Sequence, residues 1–181
     1  EPDAVKSAVA AIAKTLKEYC DALIDTGIHA IMVDTLFASQ SIMSKEMWKE
    51  YEGIFVKELA EHIHDRGCMM MIHNCGNGIY FDAQIEMMKP EAISFLHLPD
   101  DCRSSEELKA KYGDVTTLIG HVDPTWIIRA SEDEVRAECR KQIDLYKKDG
   151  GFILATGCEY PANADFRNAE IMIDEAKTYG R

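Results

Sequence analysis

The sequence predicts an α/β fold in which parallel strands are joined by helices. Three observations predict it: five short apolar runs, a helical pattern between each pair of them, and a polar residue or loop closing each run. Such strict alternation requires right-handed helical crossovers between parallel strands. A closed (β/α) barrel and an open doubly wound sheet both satisfy it. No Gly-x-Gly-x-x-Gly turn follows an early strand, so the dinucleotide-binding open sheet loses support.

The first helix is expected over residues 3–26. Val5, Val9, Ile12, Leu16, Tyr19 and Leu23 recur there at helical spacing, Asp3 caps the start and Gly27 stops the end. The first strand spans 28–33 and closes on Asp34. A loop over 39–44 leads into a helix that starts at Ser44, reaches Asp65 and is stopped by Gly67. The second strand, 68–72, runs into His73-Asn74-Cys75-Gly76-Asn77, and a helix follows over 78–88, ended ahead of Pro90. The third strand, 92–96, closes on His97. A serine-capped helix spans 105–112, and the fourth strand, 115–119, closes on Gly120-His121-Val122-Asp123-Pro124. Ser131 and Glu134 form a capping box for a helix that reaches Lys148. The fifth strand, 152–155, closes on Thr156-Gly157-Cys158-Glu159, and a last helix spans 165–179.

Composition narrows the function. With 181 residues, 46% of them hydrophobic, the chain is one globular domain with a core. A formal charge of −12 repels phosphate backbones, so nucleic acid is not an expected partner. No apolar run reaches membrane-spanning length and no signal peptide is visible. The six cysteines have no compact disulfide spacing, which reads as reduced thiols and a cytoplasmic protein. The chain opens Glu1-Pro2-Asp3 without an initiator methionine, the expectation being a fragment or a processed product.

Asp34, His73, His97, His121 and Cys158 each stand at the carboxyl end of a strand, the rim where parallel α/β folds place ligands and chemistry. His73 and Cys75 are two residues apart, so their side chains point the same way. An imidazole beside a thiol is a zinc-type pair, and Cys158, next to Gly157 at another strand end, is the candidate third ligand. Three protein ligands with an open fourth position is the catalytic pattern of zinc. Zinc, two thiolates and a neutral imidazole sum to zero charge. Such a centre lowers the pKa of a bound thiol yet leaves the thiolate nucleophilic, which suits alkyl transfer to sulfur. Among the other candidates, Asp34 orients substrate or a ligand histidine, or is a loop carboxylate. His97 and His121 bind substrate or brace a ligand, or are satisfied rim residues. His29, His62 and His64 read as surface residues, Met69 to Met71 and Trp48 as packing, and Cys68 lies at the wrong end of its strand.

The stretches Ile31-Met32-Val33-Asp34-Thr35-Leu36-Phe37-Ala38-Ser39, Ile72-His73-Asn74-Cys75-Gly76-Asn77, Leu118-Ile119-Gly120-His121-Val122-Asp123-Pro124 and Ala155-Thr156-Gly157-Cys158 give the chain a resemblance to the uroporphyrinogen decarboxylase superfamily. The His-x-Cys-Gly-Asn stretch with a late Gly-Cys is similar to its corrinoid-dependent methyltransferase branch. That resemblance covers nearly the whole chain and implies the carboxyl-terminal part of a TIM-type (β/α)8 barrel. It implies zinc on His73, Cys75 and Cys158. Beside those ligands, Asn77, His97 and His121 stand as the substrate-binding candidates and Asp34 and Glu159 as the catalytic ones. It further implies methyl transfer between a corrinoid (cobalamin) cofactor on a partner corrinoid protein and a thiol such as coenzyme M. Two departures stand out. Only five of the eight strands of a closed barrel are readable, so a truncated chain, a proteolytic remnant, a homo-oligomer or association with the missing amino-terminal half is expected. Gly157-Cys158 continues into Glu159-Tyr160-Pro161, where Glu159 is an extra metal ligand or a solvated carboxylate. The alternatives are a metal-free decarboxylase relative, disfavoured by sparse arginine, and a non-enzymatic piece.

Overall fold

The computed structural model describes residues 1–181. Five strands, β1 (Ala30–Asp34), β2 (Met69–Asn74), β3 (Ala92–Phe95), β4 (Thr117–Val122) and β5 (Phe152–Thr156), lie side by side in sequence order. Every pair is parallel, with Asp34 beside His73, His73 beside Ser94 and Ile119 beside Ile153. Sequential order without a reversal is that of a barrel wall; a doubly wound sheet reverses its strand order. The chain is thus an α/β arc of βα units from a TIM-type barrel, as the alternation predicts.

Helices cover one face of the arc. They are α1 (Pro2–Ile24), α2 (Lys45–Trp48), α3 (Ile54–Asp65), α4 (Phe81–Met88), α5 (Ser105–Tyr112), α6 (Pro124–Ile127), α7 (Glu132–Tyr146) and α8 (Phe166–Thr178). The main core lies between strands and helices, around Met70, Ile72, Ile93, Phe95 and Leu118 from the sheet and Leu59, Ile63, Phe81, Leu108 and Tyr146 from the helices. A second cluster joins Val122 to Val135, Cys139, Ile171 and Met172 under α7 and α8. The capping box at Ser131 and Glu134 forms as the sequence predicts.

The opposite face is the wall of an unclosed lumen. Period-two alternation puts Met32, Met69 and Ile153 there, and they are 46%, 46% and 49% exposed. The run at Met69 to Met71 is therefore buried on one face only, at Met70. Strands β1 and β5 each have one partner, and an apolar groove lies along each open edge: about 510 Å³ between α1 and β1, and about 460 Å³ between β5 and α8.

Element boundaries moved where loops pair with one another. The helix expected from Gly78 begins at Phe81, because the Gly78 and Ala38 carbonyls accept from Gln40 and the Tyr80 amide, and Ile79 bridges Ser39. The fourth strand lies at Thr117–Val122, two residues later than expected, since Thr116 donates its hydroxyl to the Pro90 carbonyl and the ladder with β3 starts at Thr117.

Between α2 and α3 the helix passes through a π-helical segment, Lys49–Gly53, where Gly53 lies against Met87 of α4. That segment carries Glu52, whose Oε2 is buried without a hydrogen-bond partner, and burial pushes its carboxyl up to about 7. An acid raised this way stabilises the fold while protonated. Its contribution is complete below its unfolded value of about 4.5 and is lost as pH rises through about 7. Glu52→Gln is therefore expected to be more stable than the parent by about 2 kcal/mol at pH 8 and equal to it at pH 4, as urea denaturation at the two pH values would show.

Candidate metal centre at the strand ends

Strand β2 ends by delivering His73 to the lumen face and Asn74 to the helix face, and Cys75 follows on the His73 side. Cys158 arrives from the loop after β5. The sequence gap between Cys75 and Cys158 closes because the arc curves: the ligand atoms of His73, Cys75 and Cys158 all lie within 4.8 Å of one another. Two tight approaches make this possible. A Cβ on Gly157 would stand 2.6 Å from Leu96 Cα and 2.8 Å from the Phe95 carbonyl oxygen, so only glycine lets the β5 loop lie on the end of β3. A Cβ on Gly76 would stand 2.4 Å from Ser39 Oγ, so the loop after β2 is packed as closely on the loop after β1. The Gly157 amide donates to the Val122 carbonyl at 2.9 Å, and the Thr156 hydroxyl donates to the Cys158 carbonyl at 2.6 Å. The second cysteine is thus held by backbone contacts on both sides.

The three residues are half-buried. Burial pushes the Cys75 thiol up from its ordinary value, and the neighbouring Cys158 and the charge of Asp34 push it the same way. A dication reverses that balance, since thiolates form on binding and their charge is neutralised there. The donor set fits zinc. Two sulfurs on one zinc ion at about 2.3 Å stand about 3.7 Å apart in tetrahedral geometry, which small side-chain rotations reach from the observed cluster.

The other candidates fall outside the cluster. Asp34 is exposed on β1 directly beside His73, close enough to bear on the Cys75 thiol. Glu159 is exposed and not among the converging ligands. Asn77 is exposed; its backbone amide donates to Ser41 Oγ at 3.3 Å. His97 is exposed, and with Leu96, His121, Asp123, Trp126 and Glu138 it lines a separate recess of about 350 Å³ that none of the three ligands enters. The His121 ring is stacked on Phe95 and set edge-on to Tyr146 of α7, with Nε2 3.2 Å from the tyrosine hydroxyl. Burial pulls its pKa below the ordinary value. His62 and His64 pair with Asp21 and Glu91 on the outer surface, as surface residues would.

Sequence reasoning passed over Ser94 and Asn74. Ser94 lies beside His73 in the β3 ladder, with its Oγ 3.0 Å from His73 Nδ1. The one available signal was a lone hydroxyl residue in the otherwise apolar strand Ala92-Ile93-Ser94-Phe95. Asn74 is fully buried and ties two loops together. Its position between two ligands on a strand end marks it, but its role depends on which carbonyls the fold brings to it.

A parallel βα arc with its polar cluster at the carboxyl ends of the strands defines a barrel-enzyme family. The chain belongs to the uroporphyrinogen decarboxylase (URO-D) family, whose model matches residues 1–179. It is similar to the methylcobamide:CoM methyltransferase MtbA of Methanosarcina mazei, at 23% identity over 164 residues, covering 89% of this chain and 45% of that protein. It is also similar to a uroporphyrinogen decarboxylase of Thioalkalivibrio sulfidiphilus, at 24% identity over 186 residues, covering 99% of this chain and 50% of that protein. Among solved structures, a methyltransferase from Methanosarcina mazei superposes with a TM-score of 0.71 at 18% identity, over 93% of this chain and 48% of the other, which shows the shared fold. The chain spans about half the length of the curated relatives it matches. Those relatives are enzymes. No helix of the chain is long and apolar enough to cross a membrane.

Proposed function

We propose that the chain is the zinc-bearing part of a methyltransferase that moves a methyl group between a corrinoid on a partner protein and a thiol such as coenzyme M. The observation that carries this is the convergence of one imidazole and two thiols from β2 and the β5 loop within 4.8 Å at the barrel mouth. His73, Cys75 and Cys158 would hold the metal. A zinc ion held there would supply the charge that lowers the pKa of an incoming thiol. Cys75 and Cys158 would carry the two negative charges that balance such an ion, which would favour alkyl transfer to sulfur over hydroxide chemistry. Asp34, beside His73 on the lumen face, is placed to orient the incoming group or take up its proton. Met32, Met71 and Ile153 would give a closed lumen an apolar lining that excludes water from the transfer.

The metal-free decarboxylase reading needs cations facing the carboxylates of a tetrapyrrole. No arginine or lysine stands on any of the five strands, so this part of the barrel offers none from its wall. The open β1 and β5 edges and their apolar grooves support a working unit in which further barrel strands, from a longer polypeptide or a second chain, complete the wall.

The test is made with the barrel completed and a corrinoid as methyl donor. Cobalt(I) should form, seen by its absorbance, when methylcobalamin and a thiol are added to the zinc-loaded enzyme, and formation should stop on chelation. Tetrapyrrole decarboxylation that survives chelation would establish the other reading and overturn this one.

A further inference from the structure

We infer that Ser94 holds the His73 imidazole in the tautomer that a metal requires; the inference rests on the zinc reading above. His73 and Ser94 are register partners on β2 and β3, so their side chains leave the sheet on the same face. Ser94 is 7% exposed, and His73 Nδ1, at 3.0 Å, is the hydrogen-bond partner of its hydroxyl. Burying a hydroxyl without a partner costs about 1–3 kcal/mol, so the contact is one the fold must keep. The remaining residues of β3 are apolar, and nothing about packing alone asks for a serine there.

The consequence lies in the histidine. A neutral imidazole carries one proton. With that proton on Nδ1 and donated to Ser94 Oγ, Nε2 keeps its lone pair for a metal. With the proton on Nε2, the nitrogen facing away from Ser94 cannot ligate. The same contact sets the plane of the ring against β3, the strand on which the Cys158 loop rests through Gly157. Ser94 therefore links the imidazole to the element that positions the second sulfur. It touches neither substrate nor metal and acts as a positioning residue for His73.

The test has two arms, neither of which reads turnover. Zinc affinity is measured by competition with a coloured chelator. Ser94→Ala should bind zinc about 10- to 100-fold more weakly, and Ser94→Thr, which keeps the hydroxyl, should restore most of the loss. The His73 tautomer is read from ring nitrogen shifts in the metal-free protein. The parent and Ser94→Thr should carry the proton on Nδ1, and Ser94→Ala should move it to Nε2 in part or in full. A merely structural role for Ser94 would lower stability and leave the tautomer unchanged. If the parent binds zinc and Ser94→Ala matches it in affinity and tautomer, the assignment of Ser94 is overturned. If the parent binds no zinc, the metal reading fails, and the tautomer arm still decides whether Ser94 sets the proton position.

Discussion

Cys158→Ser is expected to take bound zinc from about one per chain to a trace. The affinity should fall by much more than the ~10- to 100-fold that an outer partner such as Ser94 is worth. The reason is topological. His73 and Cys75 are neighbours on one strand end and by themselves give a two-ligand site of a kind many chains carry without binding metal. Cys158 comes from the far side of the arc and alone closes the set. A serine hydroxyl does not ionise near neutral pH, so it replaces neither the charge nor the softness of a thiolate. Cys158 is half-buried on a loop and outside the hydrophobic clusters, so the metal-free variant should keep the parent's stability within about 0.5 kcal/mol. Zinc analysis after dialysis and a melting curve separate the two quantities. A variant that still holds one zinc per chain at the parent's affinity would show that Cys158 is no ligand.

Most of the architecture was legible because it is written in periodicity. The five apolar runs, the serine caps at Ser44 and Ser131, a cap at Ser104 or Ser105 that the fold places on Ser104, and the glycine stops set the order of elements, and sequential order then yields the arc. What was not legible depends on contacts between loops. Nothing local tells Gly78 to Tyr80 to bridge the β1 loop when a helix could start there, or tells β4 to begin at Thr117 when Val115 is equally apolar. The candidate centre was legible in its ligand types and illegible in its braces. A cysteine after glycine at a strand end invites attention for its chemistry. Ser94 and Asn74 earn their roles only through the carbonyls and ring nitrogens that the register sets against them. His121 shows the converse. It ends a strand as His73 does, yet its ring is stacked on Phe95 beside α7, and sequence position alone does not distinguish the two.

Asn74→Ala should cost about 2–3 kcal/mol, the largest stability loss expected of a single substitution near the centre. The side chain is fully buried and makes three hydrogen bonds. Its Nδ2 donates to the Thr35 carbonyl at 2.7 Å and the Ala38 carbonyl at 3.2 Å, and its Oδ1 accepts from the Gly76 amide at 2.9 Å. Alanine leaves the Gly76 amide without its acceptor, at about 1–3 kcal/mol, and removes one of two donors from the Thr35 and Ala38 carbonyls, which keep the Ala38 and Tyr80 amides. Asn74→Asp keeps the shape and should be no milder, because it sets a carboxylate oxygen against two carbonyl oxygens. The loss reaches the metal as well. The Gly76 amide follows Cys75 directly, and Asn74 is its tie to the β1 loop on which Gly76 is packed, so cutting that tie loosens the cysteine. Urea unfolding should show a lower midpoint at an unchanged slope. Saturating zinc should recover part of the difference, since a ligand that binds only the folded state stabilises it by mass action. A loss below about 1 kcal/mol, the ordinary value for one exchanged hydrogen bond, would mean that the two loops hold Cys75 without Asn74.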